Sequence, residues 1–291
     1  SSPMTNSLFL TARRGPAITF AVLSTVILIF LPIVSGVYLS VGKSNPAPKI
    51  ANALLAKSEF RDAAANKLIE NISKDSEGIQ ALLFEAKAKE IRVALSDAMG
   101  TKAFEDEVVV ITQKAYDFYV DGDTQSGSID IRPIASMALK AFSEVAPLLS
   151  LAEGQIKDIA PIALTSSTSE VDLKQIKNGF TGLVFVLWIG FILFSALYWR
   201  FASNLHNALK FSGIQSAVFA AISILIFLIG SAAGGSIGGN SADQLPQIAI
   251  PIVAQALISP FLTLAILGFM VSAILVGYLF KMVRKQLKAS N

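Results

Sequence analysis

Four apolar segments, each long enough to cross a lipid bilayer, constrain the fold of this chain more than any other feature. None of them contains Asp, Glu, Lys or Arg. In a helix that rises 1.5 Å per residue, about 20 apolar residues cover the ~30 Å hydrocarbon layer. We therefore predict transmembrane helices at residues 17–41, 180–199, 214–234 and 260–280. The composition agrees, because 15% of the residues are charged, against roughly 25% in a soluble protein.

The basic residues between these segments predict the orientation of the chain. Residues 1–16, 200–213 and 281–291 together hold eight Lys or Arg and no acidic residue. Residues 43–178 hold 16 basic and 20 acidic residues, and the loop 235–259 holds one charged residue, an aspartate. The positive-inside rule therefore predicts cytoplasmic termini, a cytoplasmic loop at 200–213 and an extracytoplasmic domain at 43–178. We expect the membrane to be the plasma membrane of a bacterium.

The N-terminal region raises two questions of processing. Residues 1–3 precede Met4 and are interpreted as a cloning scar. The first apolar segment exceeds the 7–15 residues of a signal-peptide core and lacks a clear small-residue cleavage site. We therefore expect it to remain as the first span.

Helical periodicity dominates the domain at 43–178, so the predicted fold class is mainly α. Apolar residues recur every three or four positions, as in helices with one buried face: Phe60, Ala64, Leu68 and Ile72; Phe84, Ala88, Ile91, Leu95 and Met99; Phe104, Val108, Ile111, Ala115 and Phe118. Arg132-Pro133 suits the first turn of another helix. A helix of about 30 residues is expected to run from residue 169 into the second span.

This domain is expected to contain at most a short two-stranded β element. Ser128 to Ile131 alternates polar and apolar residues after a turn-rich stretch, as a strand does. Residues 159–164 could supply a partner strand. Val108 to Ile111 is rich in β-branched residues, but its flanking periodicity favours a helix.

The string from Gly127 to Ile134 resembles a pattern found in a group of actinobacterial membrane proteins. In that group a Gly-x-(apolar)-Asp-Leu-x-Pro-Leu string lies in an external helical domain, between a first span and three later ones. This chain has Ile131 and Ile134 where that pattern tends to have Leu. The resemblance implies the architecture and carries no activity. The same order of spans also looks like the permease-like cell-division subunit that partners an ATPase, an analogy of topology alone.

Three aspartates in this region, Asp121, Asp123 and Asp130, could suggest a calcium loop. The EF-hand spacing fails, because Ser126 stands at the sixth position from Asp121 and Arg132 at the twelfth. A looser ion-binding loop is the alternative. We favour a solvated turn, with Asp130 near a helix start.

Other sites are excluded by composition. The chain has no cysteine and one histidine, His206, so we expect no disulfide, no zinc site of the usual kind and no cofactor. His206 is predicted to lie in the cytoplasmic loop, where no acidic residue could orient it as a base. The spans lack the ionisable residues that mark proton or ion pathways.

Small residues mark the end of the third span. Gly230 and Gly234 have the spacing that lets transmembrane helices approach closely, or they open a flexible loop. Residues 235–239 are expected to be loop. A short interfacial helix is predicted from Pro251 to Ser259, with a kink at Pro260, because two prolines divide a stretch too long for one straight span.

These features predict a non-enzymatic cell-envelope protein. Its external domain would bind or scaffold a protein partner and would be coupled to the spans, which contact the bilayer. The alternative is a membrane subunit of a transport or permease complex, with lipids among the candidate substrates. Nothing in the sequence indicates nucleic-acid binding, and the oligomeric state is left open.

Overall fold

The computed structural model describes residues 3–43, 45–75, 79–123, 127–147, 156–157, 159–164, 173–202, 204–239 and 243–289. The chain divides into two compact units. The first, the span unit, comprises residues 1–44, 178–230 and 258–291. The second, the helical unit, comprises residues 45–177 and 231–257.

Four long helices supply the candidate membrane spans. They are α1 (Pro3–Val37), α7 (Leu173–Phe201), α8 (Leu205–Gly239) and α9 (Gln244–Ala289). A π-helical turn, Tyr38–Gly42, extends α1. All four are long and apolar enough to cross a bilayer, with mean hydropathy between 2.3 and 2.6 in their most apolar windows. The predicted spans 180–199, 214–234 and 260–280 each fall within one of these helices, and the predicted span 17–41 covers part of α1 and the π-helical turn. The four predicted segments therefore coincide with helices whose length and composition fit a membrane span.

Within the span unit, aromatic and small residues join the helices. Leu28 and Leu31 of α1 are almost fully buried and cluster with Phe219 of α8 and Leu264 of α9. The Trp188 indole N–H donates to Ser35 Oγ at 3.0 Å, which ties α7 to α1. A polar group shielded from water needs a partner, and the Trp188 indole has one on a neighbouring helix.

Five helices build most of the helical unit. They are α2 (Ala47–Leu55), α3 (Ser58–Asp75), α4 (Ile79–Met99), α5 (Lys102–Tyr116) and α6 (Arg132–Val145). The Thr101 hydroxyl caps α5 by accepting from the Phe104 backbone N–H at 3.4 Å. The helix prediction for Val108 to Ile111 is confirmed, because α5 passes through these residues.

The core of the helical unit is formed by α2, α3, α4, α5 and α6. Ile91, Leu95 and Met99 of α4 are buried in it, as the periodicity predicts. In α3 the buried positions are Ala65 and Ile69, whereas Leu68 is 36% exposed. The buried face of α3 is therefore rotated by about one residue from the predicted one. The side chains of Ile72 and Phe84 lie outside the described residues.

The predicted two-stranded element is present. Strand β1 (Ser128–Ile129) pairs antiparallel with β2 (Ile162–Ala163), with Ser128 opposite Ala163. Ile129 turns its side chain into the interior and is 7% exposed. The fold is mainly helical with this one small sheet among the described residues.

Several predicted loops are helical instead. Helix α8 runs through Gly235 and ends at Gly239, and it begins at Leu205, so His206 lies in its first turn. The basic tail is helical to Ala289. The predicted separate helix from Pro251 to Ser259 is wrong as an element, because α9 is continuous from Gln244 across both prolines.

Close packing explains why this region stays helical. A Cβ on Gly234 would overlap Ala254, and one on Gly238 would lie 2.7 Å from Pro251 Cδ. The glycines thus allow the two helices to touch closely. Such tertiary packing compensates for local residues that disfavour a helix.

Candidate partner-binding groove

An open groove runs along the surface of the helical unit between α4 and α6. Its volume is about 900 Å³. The α4 wall is built from positions that recur every three or four residues, and so is the α6 wall. The lining residues are Lys89, Glu90, Val93, Ala94, Asp97, Ala98, Thr101, Ala103, Met137, Lys140, Ala141, Glu144 and Val145. From Lys89 to Ala98 the α4 wall rises about 14 Å, so the groove extends for between two and three helical turns.

The floor of the groove is apolar and made largely of small side chains. Ala94, Ala98 and Ala141 leave room for a ligand to approach the α4 and α6 backbones. Val93 also lines the groove and is 52% exposed. An exposed valine is an apolar surface that water does not solvate well, so burial by a ligand would be favourable.

Charged side chains of both signs form the rim. Glu90 and Asp97 stand on α4, and Lys140 and Glu144 stand on α6, all of them exposed. Glu90 Oε1 lies 3.6 Å from Lys87 Nζ, and the two side chains form an exposed ion pair one turn apart on α4. The pKa of Glu90 is below the usual value because of a hydrogen bond to its own backbone N–H, and then because of Lys87. A carboxyl group that stays ionised in this way is a poor proton donor near neutral pH.

The polar side chains of the groove lining are charged, apart from one hydroxyl. The lining includes neither histidine nor cysteine. Thr101 is its single hydroxyl-bearing residue, and that hydroxyl donates to the Ala98 carbonyl at 2.7 Å while capping α5. A nucleophile normally needs an adjacent base. The arrangement suits binding of an amphipathic ligand by contact and charge.

The three predicted aspartates make protein contacts. Asp121 Oδ1 accepts from Lys177 Nζ at 2.6 Å. Asp130 accepts from the Arg132 side chain at 2.6 and 2.8 Å and from its backbone N–H at 3.0 Å. The Arg132 hydrogen bonds and charge lower the Asp130 pKa to about 2. The backbone N–H of Asp123 donates to the Asp117 carbonyl at 2.9 Å.

The backbone conformation at Gly122 explains the positions of Asp121 and Asp123. A π-helical segment, Asp117–Asp121, ends at Gly122, whose φ of 68° is the left-handed value that favours glycine. Within the described residues no group of three acidic or histidine side chains is arranged for a metal. Residues 124–126 of the predicted loop lie outside those residues.

Gly230 and Gly234 both face α9, each within its own unit. A Cβ on Gly230 would lie 2.8 Å from Ile258 Cγ2 in the span unit. In the helical unit, Gly234 abuts Ala254 without space for any side chain. These contacts are between helices of the same chain.

The groove itself was not predicted from the sequence. A pattern that could have indicated it is the pair of small residues Ala94 and Ala98, one turn apart on α4, beside the buried stripe at Ile91 and Leu95. A helix with one buried face has no need of this second row of small apolar residues.

Comparison with protein-family models, with curated proteins and with solved structures found no match.

Proposed function

We propose that this protein is a non-enzymatic membrane receptor or scaffold of the bacterial cell envelope. Its helical unit lies on the extracytoplasmic side and holds an amphipathic helix of a partner protein in the groove between α4 and α6. The observation that carries the proposal is the groove itself, with its apolar floor and charged rim. The basic bias of residues 1–16, 200–213 and 281–291 supports the orientation.

The shape of the groove favours a helix as the occupant. Two helical walls of just over two turns match the length over which an amphipathic helix presents its i, i+3, i+4 and i+7 anchors. The alanine floor accepts bulky apolar side chains, and the rim can pair with charges on either side of the partner helix. Asp97, Lys140 and Glu144 have no ion-pair partner within the described part of the chain, so they are available for this.

Coupling to the membrane follows from chain continuity. Within the segment 231–257 of the helical unit, residues 231–239 belong to α8 and residues 244–257 to α9, and both helices continue into the span unit. Inside the helical unit this segment contacts α3 through Lys67 and Asp243 at 3.9 Å, and α2 through Lys49 Nζ and the Ala256 carbonyl at 3.4 Å. A bound partner would therefore act on a unit that shares two helices with the spans.

Site-specific photocrosslinking in the native organism tests the proposal. A photoreactive amino acid at Val93 should capture one defined protein, and the crosslinked peptide should be an amphipathic helix. The matched control is Val110, which is 47% exposed on α5 and does not line the groove. The charge-reversal variant Lys140→Glu should reduce the Val93 crosslink. Equal capture from both positions, or none from Val93, would contradict the proposal. A captured transport ATPase would favour the permease-complex alternative.

A further inference from the structure

The span unit carries charge of one sign. Its three chain segments contain nine Lys or Arg and no Asp or Glu. Eight of the nine lie in the regions flanking the spans at residues 13–14, 200–210 and 281–288. A cluster of this kind, with no Asp or Glu in the unit to neutralise it, attracts anionic groups.

The helix register brings the basic residues of α7, α8 and α9 to one end of the unit. Gly268 of α9 packs against Ala220 of α8, and Gly213 packs against Leu275, so the two helices are antiparallel. Continuing this register places Lys281 beside the first turns of α8, where Lys210 lies. The Trp199 indole N–H donates to Ser212 Oγ at 2.8 Å, which brings the end of α7, with Arg200, to the same level.

The last turns of α9 are helical and amphipathic. At about 100° per residue, Lys281, Arg284, Lys285 and Lys288 occupy an arc of about 100°. Phe280, Val283 and Leu287 occupy a separate arc and are 73%, 36% and 62% exposed. Basic residues beside an apolar stripe are the pattern of helices that lie against charged membrane surfaces.

We propose that this basic end of the span unit, with Lys281, Arg284, Lys285 and Lys288 at its centre, binds the headgroups of anionic phospholipids. The cations contact the lipid phosphates, and the apolar stripe on the end of α9 contacts the acyl chains near the interface. Juxtamembrane clusters of four or more basic residues are attracted to anionic lipid surfaces in this way. The site is separate from the groove and does not depend on the function proposed for it.

Lipid selectivity of the purified full chain tests the inference. The protein is reconstituted in phosphatidylcholine, and the association of spin-labelled phosphatidylglycerol is compared with that of spin-labelled phosphatidylcholine. We expect a preference of at least about fivefold for the anionic lipid at low salt, because each basic residue near the surface contributes about that factor. The preference should fall towards unity at about 1 M salt, where the Debye length is about 3 Å. This salt dependence is measured on the unaltered protein, without any variant.

Two variants assign the preference to the end of α9. Neutralising it with Lys281→Gln, Arg284→Gln, Lys285→Gln and Lys288→Gln should remove most of the selectivity. The matched control neutralises four exposed lysines of the helical unit, at Lys57, Lys87, Lys114 and Lys157, and should retain it. Equal association of the two lipids, or an unchanged preference in the first variant, would overturn the inference. Binding of an acidic protein with no lipid preference would also overturn it.

Discussion

Lys177 Nζ lies 2.6 Å from Asp121 Oδ1, although 56 positions separate the two residues in the sequence. The same ammonium group is 5.2 Å from the centre of the Tyr116 ring. Lys177 belongs to the first turns of α7, and Asp121 closes the π-helical segment after α5. The pair therefore fixes the start of α7 against the α5 region within the helical unit.

Breaking this pair should destabilise the helical unit. The Lys177 and Asp121 side chains are 22% and 42% exposed, so solvent screening reduces the effect. We expect Lys177→Met to lower the free energy of unfolding in detergent by about 1 kcal/mol. The charge-swapped double variant Asp121→Lys, Lys177→Asp should recover part of the loss. If the swap is no better than Lys177→Met, the attraction between the two charges is not the cause.

Two adjacent glycines of α8, Gly234 and Gly235, provide a matched test of close helix packing. Gly234 abuts Ala254, whereas a Cβ on the adjacent Gly235 would meet nothing within 4 Å. Gly234→Ala should therefore lower stability by about 1–3 kcal/mol through overpacking. Gly235→Ala should be neutral or stabilising by up to about 1 kcal/mol, because alanine favours the helix. Thermal unfolding in detergent measures both variants, and equal effects would show that α8 and α9 are not packed as described.

A buried polar pair joins α1 and α8. Gln215 Nε2 donates to Ser24 Oγ at 2.9 Å, and both residues are almost fully buried. Interhelical hydrogen bonds in membrane proteins average about 0.6 kcal/mol and reach about 1.7. A double-mutant cycle of Ser24→Ala and Gln215→Ala should give a coupling energy in that range. A coupling of zero would show that the hydrogen bond does not contribute.

The Asp130 carboxyl should titrate far below its usual pKa of 3.8, at about 2. Because the folded-state pKa is depressed, the stabilisation by ionised Asp130 is fully present above the unfolded-state value and is lost as the pH falls through about 2. The stability difference between the protein and its Asp130→Asn variant should therefore be constant above about pH 5 and shrink below pH 4. Carboxyl NMR titration measures the pKa directly, and a midpoint near 4 would mean that the Arg132 contacts do not persist in solution.

The sequence predicted the elements that depend on local patterns. Each uncharged apolar segment lies in a long helix, and the alternation at Ser128 and Ile129 found its strand partner at Ile162. Residues that locally disfavour a helix predicted the helix ends less well. Pro251 and Pro260 predicted an interrupted helix, but contacts of α9 with α8 keep it continuous, and those contacts depend on residues more than a dozen positions away.

The groove is also formed by residues that lie far apart in the sequence. Along the chain, α5 and β1 lie between the two helices that form its walls, α4 and α6. The relative placement of these walls comes from packing of Phe142 and Ile91 in a common core. No local pattern specifies that placement. The aspartates at 121 and 130 were prominent in the sequence because Asp and Gly mark turns. In the structure Asp121 ends a π-helical segment, and Asp130 accepts hydrogen bonds from Arg132 at the start of α6.

Cysteine accessibility at Val93 tests the central claim most directly, because the chain has no native cysteine. Val93→Cys and the control Val110→Cys are each treated with a membrane-impermeant maleimide, on intact cells and on purified protein. We predict that both positions label from outside the cells, and that in cells Val93→Cys labels several-fold more slowly than the control, since the partner helix covers the groove. In purified protein the two rates should become similar. No labelling from outside at either position would contradict the orientation, and the same ratio of rates in cells as in purified protein would contradict an occupied groove.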